Sequence, residues 1–331
     1  KGMFFEFWLV LFSVACFANL TGLIISSAFD TAITVYILVP LLLIPQMILS
    51  GSIFSFDRIN DLIRSKDKVP VIADLMASRW AYEAIAVKQY RDNGYEKYFY
   101  KVEQKENIAN FNIVYLLPEM KERLDFVYEN LNSKNDSILK IGINNVEVLR
   151  SELRKQNKIL KKLSTADIDN VSIENLDLAS YTKFKDFIEA LEIFYNKVFN
   201  EAVKEKENYL FALSRVNGGT DVNKLKDSYF NESLADLVRN ATAKKRIVET
   251  DHYLAPKTDY VYFGPVELKS KFDYRAHFFA PVKHFAGNYY DTFKFNIIVI
   301  WLAGLLLYTI LYFDMLRGLL NIFGKVKIRR T

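Results

Sequence analysis

Three apolar stretches, each long enough to cross a bilayer, constrain this 331-residue chain more than any other feature. The first covers 4–25, with Glu6 as its one charge. The second, 32–54, and the third, 295–313, carry none. At 1.5 Å per residue, about 20 helical residues span the roughly 30 Å hydrocarbon core of a membrane. A buried helix of a soluble domain fits poorly, because such helices seldom stay uncharged over that length. A signal peptide fits no better, since the first block has no basic leader and no cleavage site before the second. Twelve Gly and seven Pro are about half the usual share, which favours long helices over a turn-rich β fold. The expected fold is therefore mainly α: a polytopic membrane protein with three transmembrane helices, a large helical extracytoplasmic insertion and minor β structure.

Orientation follows from the basic residues beside the spans. Arg317, Lys325, Lys327, Arg329 and Arg330 follow the third block with no acid after Asp314, and these five charges equal the net charge of +5. The tail then lies in the cytoplasm, the 26–31 turn beside it, and 57–294 outside. Arg58, Arg64, Lys66 and Lys68 do not oppose this, because long external regions are exempt from the charge rule. The tail cations also suit anionic headgroups. A chain beginning Lys1-Gly2-Met3 on the outer side, directly before a span, is expected to be part of a longer polypeptide. An odd number of spans is expected upstream if its N-terminus is cytoplasmic.

The external region changes character along its length. Over 57–100 it is mixed and suits interfacial or re-entrant helices, with Trp80 and Tyr82 in the aromatic belt. Over 101–251 it reads as a helical, water-soluble insertion. Val146, Leu149, Leu153, Leu160 and Leu163 keep heptad spacing broken only by Gln156, and the repeat is short enough to mean intramolecular packing. Phe184, Phe187, Ile188, Leu191, Tyr195, Val198 and Ala202 form one apolar stripe. A third helix is expected over 225–248. Breaks fall at 164–172 and at Asn217-Gly218-Gly219, so helices over 138–163 and 181–215 are expected to pair as an antiparallel hairpin. The aromatic return segment, 252–294, suits short strands leading back to the membrane, its rings at headgroup level, and 295–331 holds the last span and basic tail.

Little in the chain suits chemistry. One cysteine excludes a disulfide framework or a Cys-based zinc site, and a small, local charge excess excludes a nucleic-acid binder. There is no phosphate-binding loop and no nucleophile elbow. His252, His277 and His284 have no metal-ligand spacing and read as satisfied surface histidines. No catalytic, cofactor or metal residue is expected here. Polar groups inside the spans are the stronger signal, because each needs a partner or a water-filled cavity. Asn19 lies within the first block. Gln46 sits beside Pro45 in the second, which Pro40 also disturbs, and a kinked, partly polar helix suits a translocation path. Tyr36, Pro40 and Leu43 join Gln46 and Asn19 as candidate cavity positions.

The order of these features carries a resemblance. A span is followed by a tight turn and a proline-bearing span ending Ile48-Leu49-Ser50-Gly51-Ser52-Ile53-Phe54. An outer segment then reads Ser78-Arg79-Trp80-Ala81-Tyr82-Glu83-Ala84-Ile85. This is similar to the last half of an ABC-2-type permease, and most of all to the G (White-like) subfamily of ABC transporters, whose re-entrant segment reads Ser-Pro-x-Arg-Tyr-x-x-Glu-Ala-Leu. The resemblance covers about 1–95 and 290–331 and implies that the three blocks are spans four to six. The family's loop between its last two spans is much shorter, and in animal members it carries disulfides. The cysteine-free insertion therefore points to a bacterial member in the inner membrane, with 57–294 in the periplasm.

The function implied is the permease part of an ATP-driven exporter of a lipidic or amphipathic substrate. ATP and Mg are expected in a nucleotide-binding domain fused upstream or on a partner, and a second permease half would complete a homo- or heterodimer. Two alternatives stand beside it: ATP-driven mechanical coupling to an envelope protein through the external helices, and a membrane-anchored scaffold.

Overall fold

A computed structural model describes residues 3–29, 31–53, 56, 67–131, 133–172, 174, 176–216 and 222–328. The end of the second block at 54, Arg58, Arg64, Lys66, the Asn217-Gly218-Gly219 break, Arg329 and Arg330 lie outside the described residues. In chain order the helices are α1 (Phe4–Ala28), α2 (Ala32–Ile48), α3 (Ala77–Asp92), α4 (Glu96–Phe111), α5 (Leu117–Glu129) and α6 (Asp136–Leu160). Then come α7 (Thr165–Asp169), α8 (Leu178–Val216), α9 (Val222–Tyr229) and α10 (Glu232–Arg239). Two antiparallel hairpins follow, β1 (Ile247–Thr250) with β2 (Tyr253–Pro256), and β3 (Val282–Phe285) with β4 (Asn288–Asp291). The chain ends in α11 (Thr292–Tyr312) and α12 (Met315–Ile328). It divides into two compact units, Lys1–Asn93 with Glu267–Thr331, and Gly94–Val266.

In the first unit, α1 and α11 are, among the described residues, the two helices long and apolar enough to cross a membrane by length and composition. They run the same way: Trp301 Nε1 donates to Ser13 Oγ at 3.0 Å, and further along both helices a Cβ at Gly304 would lie 3.9 Å from Leu20 Cδ1. Ser13 also donates to the Leu9 carbonyl, so its hydroxyl is satisfied inside an apolar contact. The second block forms a shorter helix than its 23-residue apolar length allows. α2 stops at Ile48, 17 residues after it starts, because Leu49 leaves helical geometry and Gly51 turns the chain with φ 78°. Pro40 and Pro45 each lack the N–H that would bond the carbonyl four residues back. Asp314, at φ 46°, separates α11 from α12, so much of the basic tail is helix.

The second unit is a helical body closed by a hairpin. α4 passes through a π-turn, Asn112–Leu116, into α5 without a break. The turn immediately precedes Pro118, which has no N–H to continue the ladder. α8 is 39 residues, about 58 Å long, and it lies against α4 and α5, while α6 lies against α5 and β2. The expected hairpin of the two long helices is thus replaced by packing of each onto the α4–α5 rod. That rod was missed because its stripe carries too many interspersed charges. Leu124, Val127, Val146, Leu149, Leu153, Phe184, Phe187 and Leu191 form the dry centre.

Gln156, the break in the heptad, is buried and has a reason to be polar. It donates to Asn112 Oδ1 at 3.3 Å and accepts from Tyr195 at 2.7 Å, joining the π-turn, α6 and α8. The helix expected over 225–248 is instead α9, α10 and β1. Asn231 starts α10 by capping Leu234 N at 3.0 Å, and Asn240 ends it at φ 53°.

Glu96, 1% exposed, hydrogen-bonds to Glu103 one face along α4, near Lys206 on α8 and Arg239 on α10. Burial first, and then the Glu103 charge, push its carboxyl up to about 8. Its folded pKa exceeds its unfolded one, so its contribution is fully present below pH about 4.5 and lost as pH rises through about 8. Thermal unfolding of the solubilised protein is therefore expected to soften from pH 5 to pH 8, and Glu96→Gln is expected to flatten that slope and raise the midpoint at pH 8.

Candidate functional site

α3 is the centre of the first unit. Small side chains at Ala77, Ala81 and Ala84 let it approach closely, and it is buried between α1 and α11 with its start against α2. Val10, Trp80, Ala81, Ala84, Phe293, Ile297 and Ile300 make one apolar cluster there. A helix so enclosed has little room for charge, yet Arg79 is 2% exposed and Glu83 0%. The sequence that looks amphipathic is in fact wrapped on both sides, and its charges meet partners from the far end of the chain.

Glu83 holds the network together. Lys283 Nζ, on β3, lies 2.6 Å from its Oε1, and the Phe279 N–H donates to the same atom at 3.2 Å. Asn296 Nδ2, on α11, donates to Oε2 at 3.0 Å and to the Trp80 carbonyl at 3.0 Å. Arg79 stands 3.6 Å from Glu83 and 3.6 Å from Asp74, with its guanidinium 3.9 Å above the Trp80 ring. Tyr274 donates to Asp74 at 3.2 Å, and Trp80 Nε1 donates to the Asp74 carbonyl at 2.8 Å.

Two acids thus face two bases. Burial works to raise the Glu83 carboxyl, but Lys283 and Arg79 outweigh it and hold it below its ordinary value. Burial pulls the Lys283 ammonium down, against the support of Glu83, and burial leaves the Asp74 carboxyl raised although Arg79 and Tyr274 oppose it. Nε and Nη1 of Arg79 and Oδ1 of Asn296 have no hydrogen-bond partner among the described residues. No nucleophile faces a base here. The arrangement is a charge-balanced pin that fixes α3 to α11 and β3.

The resemblance-derived residues Ser50, Gly51, Ser78, Arg79, Trp80, Tyr82 and Glu83 all gather around this pin. Ser78 Oγ donates to the Gln46 carbonyl at 2.8 Å, tying the start of α3 to the end of α2. Ser50 Oγ donates to the Met47 carbonyl at 2.7 Å and meets Ser52 Oγ at 2.7 Å. Gly51 is required twice over, by its positive φ and because a Cβ would stand 2.6 Å from Phe278 Cε1 and 2.9 Å from Phe56 Cε2. Tyr82 packs on Phe278 and Phe279, and burial pushes its hydroxyl up.

Several sequence expectations change. Trp80 is a core residue, 3% exposed, and not part of a lipid-facing belt. His277 and His284 are each 5% exposed rather than on the surface, and His284 Nδ1 donates to the Asp273 carbonyl at 2.9 Å. His252 is exposed and meets Glu147 at 2.8 Å. Asp74, Lys283 and Asn296 escaped notice because each is an inconspicuous polar residue in an aliphatic or aromatic stretch.

The candidate cavity positions are placed differently. Tyr36, Pro40 and Leu43 are exposed on one face of α2, and no residue of α2 is buried. Gln46 is half-buried, and Asn19 is exposed on α1. They do not assemble into a pocket among the described residues.

The stretch that contains α1, α2, the Ser-Gly turn and most of α3 is also the one that comparison recognises. Residues 2–90 match the family model of the ABC-2 type transporter. Over those residues the chain is similar to an ABC-2 type membrane domain, which in that family is the transmembrane component of an ABC transporter. Domains of this family work with an ABC ATPase and pair as dimers. No curated protein and no solved structure matches the chain. The ABC-2 match includes Arg79 and Glu83, while their partners Lys283 and Asn296 lie beyond it.

Glu83→Ala leaves Lys283 and Arg79 buried without their carboxylate and is expected to cost about 3–5 kcal/mol. Glu83→Gln with Lys283→Met removes both charges and is expected to cost less than Glu83→Ala, read as melting temperature in detergent. In the same assay Gly51→Ala is expected to lower the melting temperature, whereas Gly22→Ala, with nothing within 4 Å of its Cβ, leaves it unchanged.

Proposed function

We propose that the chain is a permease part of an ATP-driven exporter, and that α1, α2 and α11 are its three spans. The observation that carries this is α2. It is an apolar, twice proline-disturbed helix inside the ABC-2 match that buries no residue against its own chain. Such a helix needs lipid, a second copy or a substrate path on its open face. Tyr36, Pro40, Leu43 and Gln46, with Asn19 on α1, line that path beside a second permease half. The wall is apolar with few hydrogen-bonding groups, so the substrate is lipidic or amphipathic.

The shared direction of α1 and α11 supports a topology in which α2 returns between them. In it both helices start on the side of α3 and the β3–β4 hairpin, and α12 lies on the other. With its basic tail in the cytoplasm, the second unit, Gly94–Val266, stands in the periplasm of a bacterial inner membrane as the enlarged loop of a G-subfamily-like member. ATP and Mg act in the associated nucleotide-binding domain. The body around α8 favours a second reading, in which ATP hydrolysis moves this unit against an envelope partner.

Reconstituted with its ATPase, the transporter is expected to show lipid-stimulated hydrolysis. Gln46→Ala and Tyr36→Ala are expected to lower the stimulation about fivefold, the worth of about 1 kcal/mol, with basal turnover unchanged. Unchanged stimulation in both removes α2 from the path. Deleting 101–251 separates the two readings: an exporter keeps stimulated hydrolysis and transport, and a coupling device loses its activity.

A further inference from the structure

The β3–β4 hairpin ends in six consecutive exposed residues, 285–290, none of them charged. Phe285, Tyr289 and Tyr290 are 41%, 60% and 43% exposed, and Phe272, at 66%, extends the patch with its ring 5.7 Å from Phe285. The Gly287 N–H donates to the Lys271 carbonyl at 3.1 Å, which fastens the loop carrying Phe272 to the hairpin turn. Aromatic side chains gathered at an uncharged tip mark a contact surface.

Its level along the chain indicates what the surface contacts. The Phe285 ring lies 6.4 Å from Phe295, which sits in the first turn of α11. The tip is therefore continuous with the apolar start of α11, at the depth where that helix leaves water. Lys271 and Lys294 are exposed beside the aromatics. The acids nearby are already engaged, Asp291 with Arg91 and Asp273 with Lys68. An aromatic tip rimmed by lysines with no ion pair among the described residues complements acyl chains below and phosphates above.

We infer that the β3–β4 tip, with Phe272, inserts into the headgroup–acyl boundary of the leaflet that α11 enters first. The inference rests on α11 being a span. It gives β3, and so Lys283 of the buried pin, a fixed height in the bilayer that does not depend on the helices alone.

The test uses the full chain with its single cysteine removed, Cys16→Ser, reconstituted in phosphatidylcholine–phosphatidylglycerol vesicles. A nitroxide is placed at Ala286→Cys, where a Cβ is already present, with Leu305→Cys on exposed α11 as the lipid reference and Asn170→Cys in the second unit as the water reference. The expected result is that the Ala286 label, like that at Leu305, collides more with oxygen than with a water-soluble nickel chelate, severalfold above the ratio at Asn170. A label at Ala286 that follows Asn170 while Leu305 follows lipid overturns the hairpin inference and leaves the spans standing. If Leu305 also reads as water, the membrane reading falls and this inference with it.

Discussion

The Glu83–Lys283 contact is the interaction on which the first unit depends. Neither group reaches water, and stripping two charges of their hydration costs several kcal/mol each unless other donors replace it. Here the Phe279 amide, Asn296 and Arg79 take that role, so the pair is viable only when α3, β3 and α11 are all in position. That is a geometric demand more than a source of stability. It selects one arrangement of elements that apolar packing alone would leave free to slide, because helix surfaces of Ala, Ile and Phe offer many similar contacts.

α2 and α3 show opposite solutions for neighbouring helices. α3 is enclosed, with side chains engaged by α2, β3 and α11. α2 buries no residue, and its tie to α3 is the contact between the Gln46 carbonyl and Ser78. Rigid support beside an open apolar face is the layout expected when the open face meets something that changes, and both helices lie in the stretch, 2–90, that matches the ABC-2 type transporter model. The Ser50–Gly51 turn joins the two behaviours, since its backbone has to pass between Phe56 and Phe278.

Much of the helical frame was legible in the sequence for simple reasons. Absence of charge over 20 residues needs no context, and the stripe from Phe184 to Ala202 matches the buried face of α8 almost residue for residue. What escaped notice was everything decided by contact between distant segments. Lys283 looked like one cation in an aromatic stretch, and Asn296 like a border residue. Gln156 read as an interruption when it is a junction of three elements. The 225–248 stretch had enough apolar residues for one helix, but two Asn caps cut it short. The histidines show the same limit: His284 is buried by the hairpin that carries it, and a hairpin pairing has no helical period to reveal it.

The seam between Val69 and Ala276 has a further consequence. With Arg275 reaching the Val69 carbonyl and Arg91 joined to Asp291, the strands of chain leaving and re-entering the first unit are stitched together before anything between them is counted. The chain thus leaves the first unit at Asn93 and re-enters it at Glu267 between segments that the first unit already holds together. The length of what lies between those two points can change over evolutionary time without rewriting the contacts of the first unit.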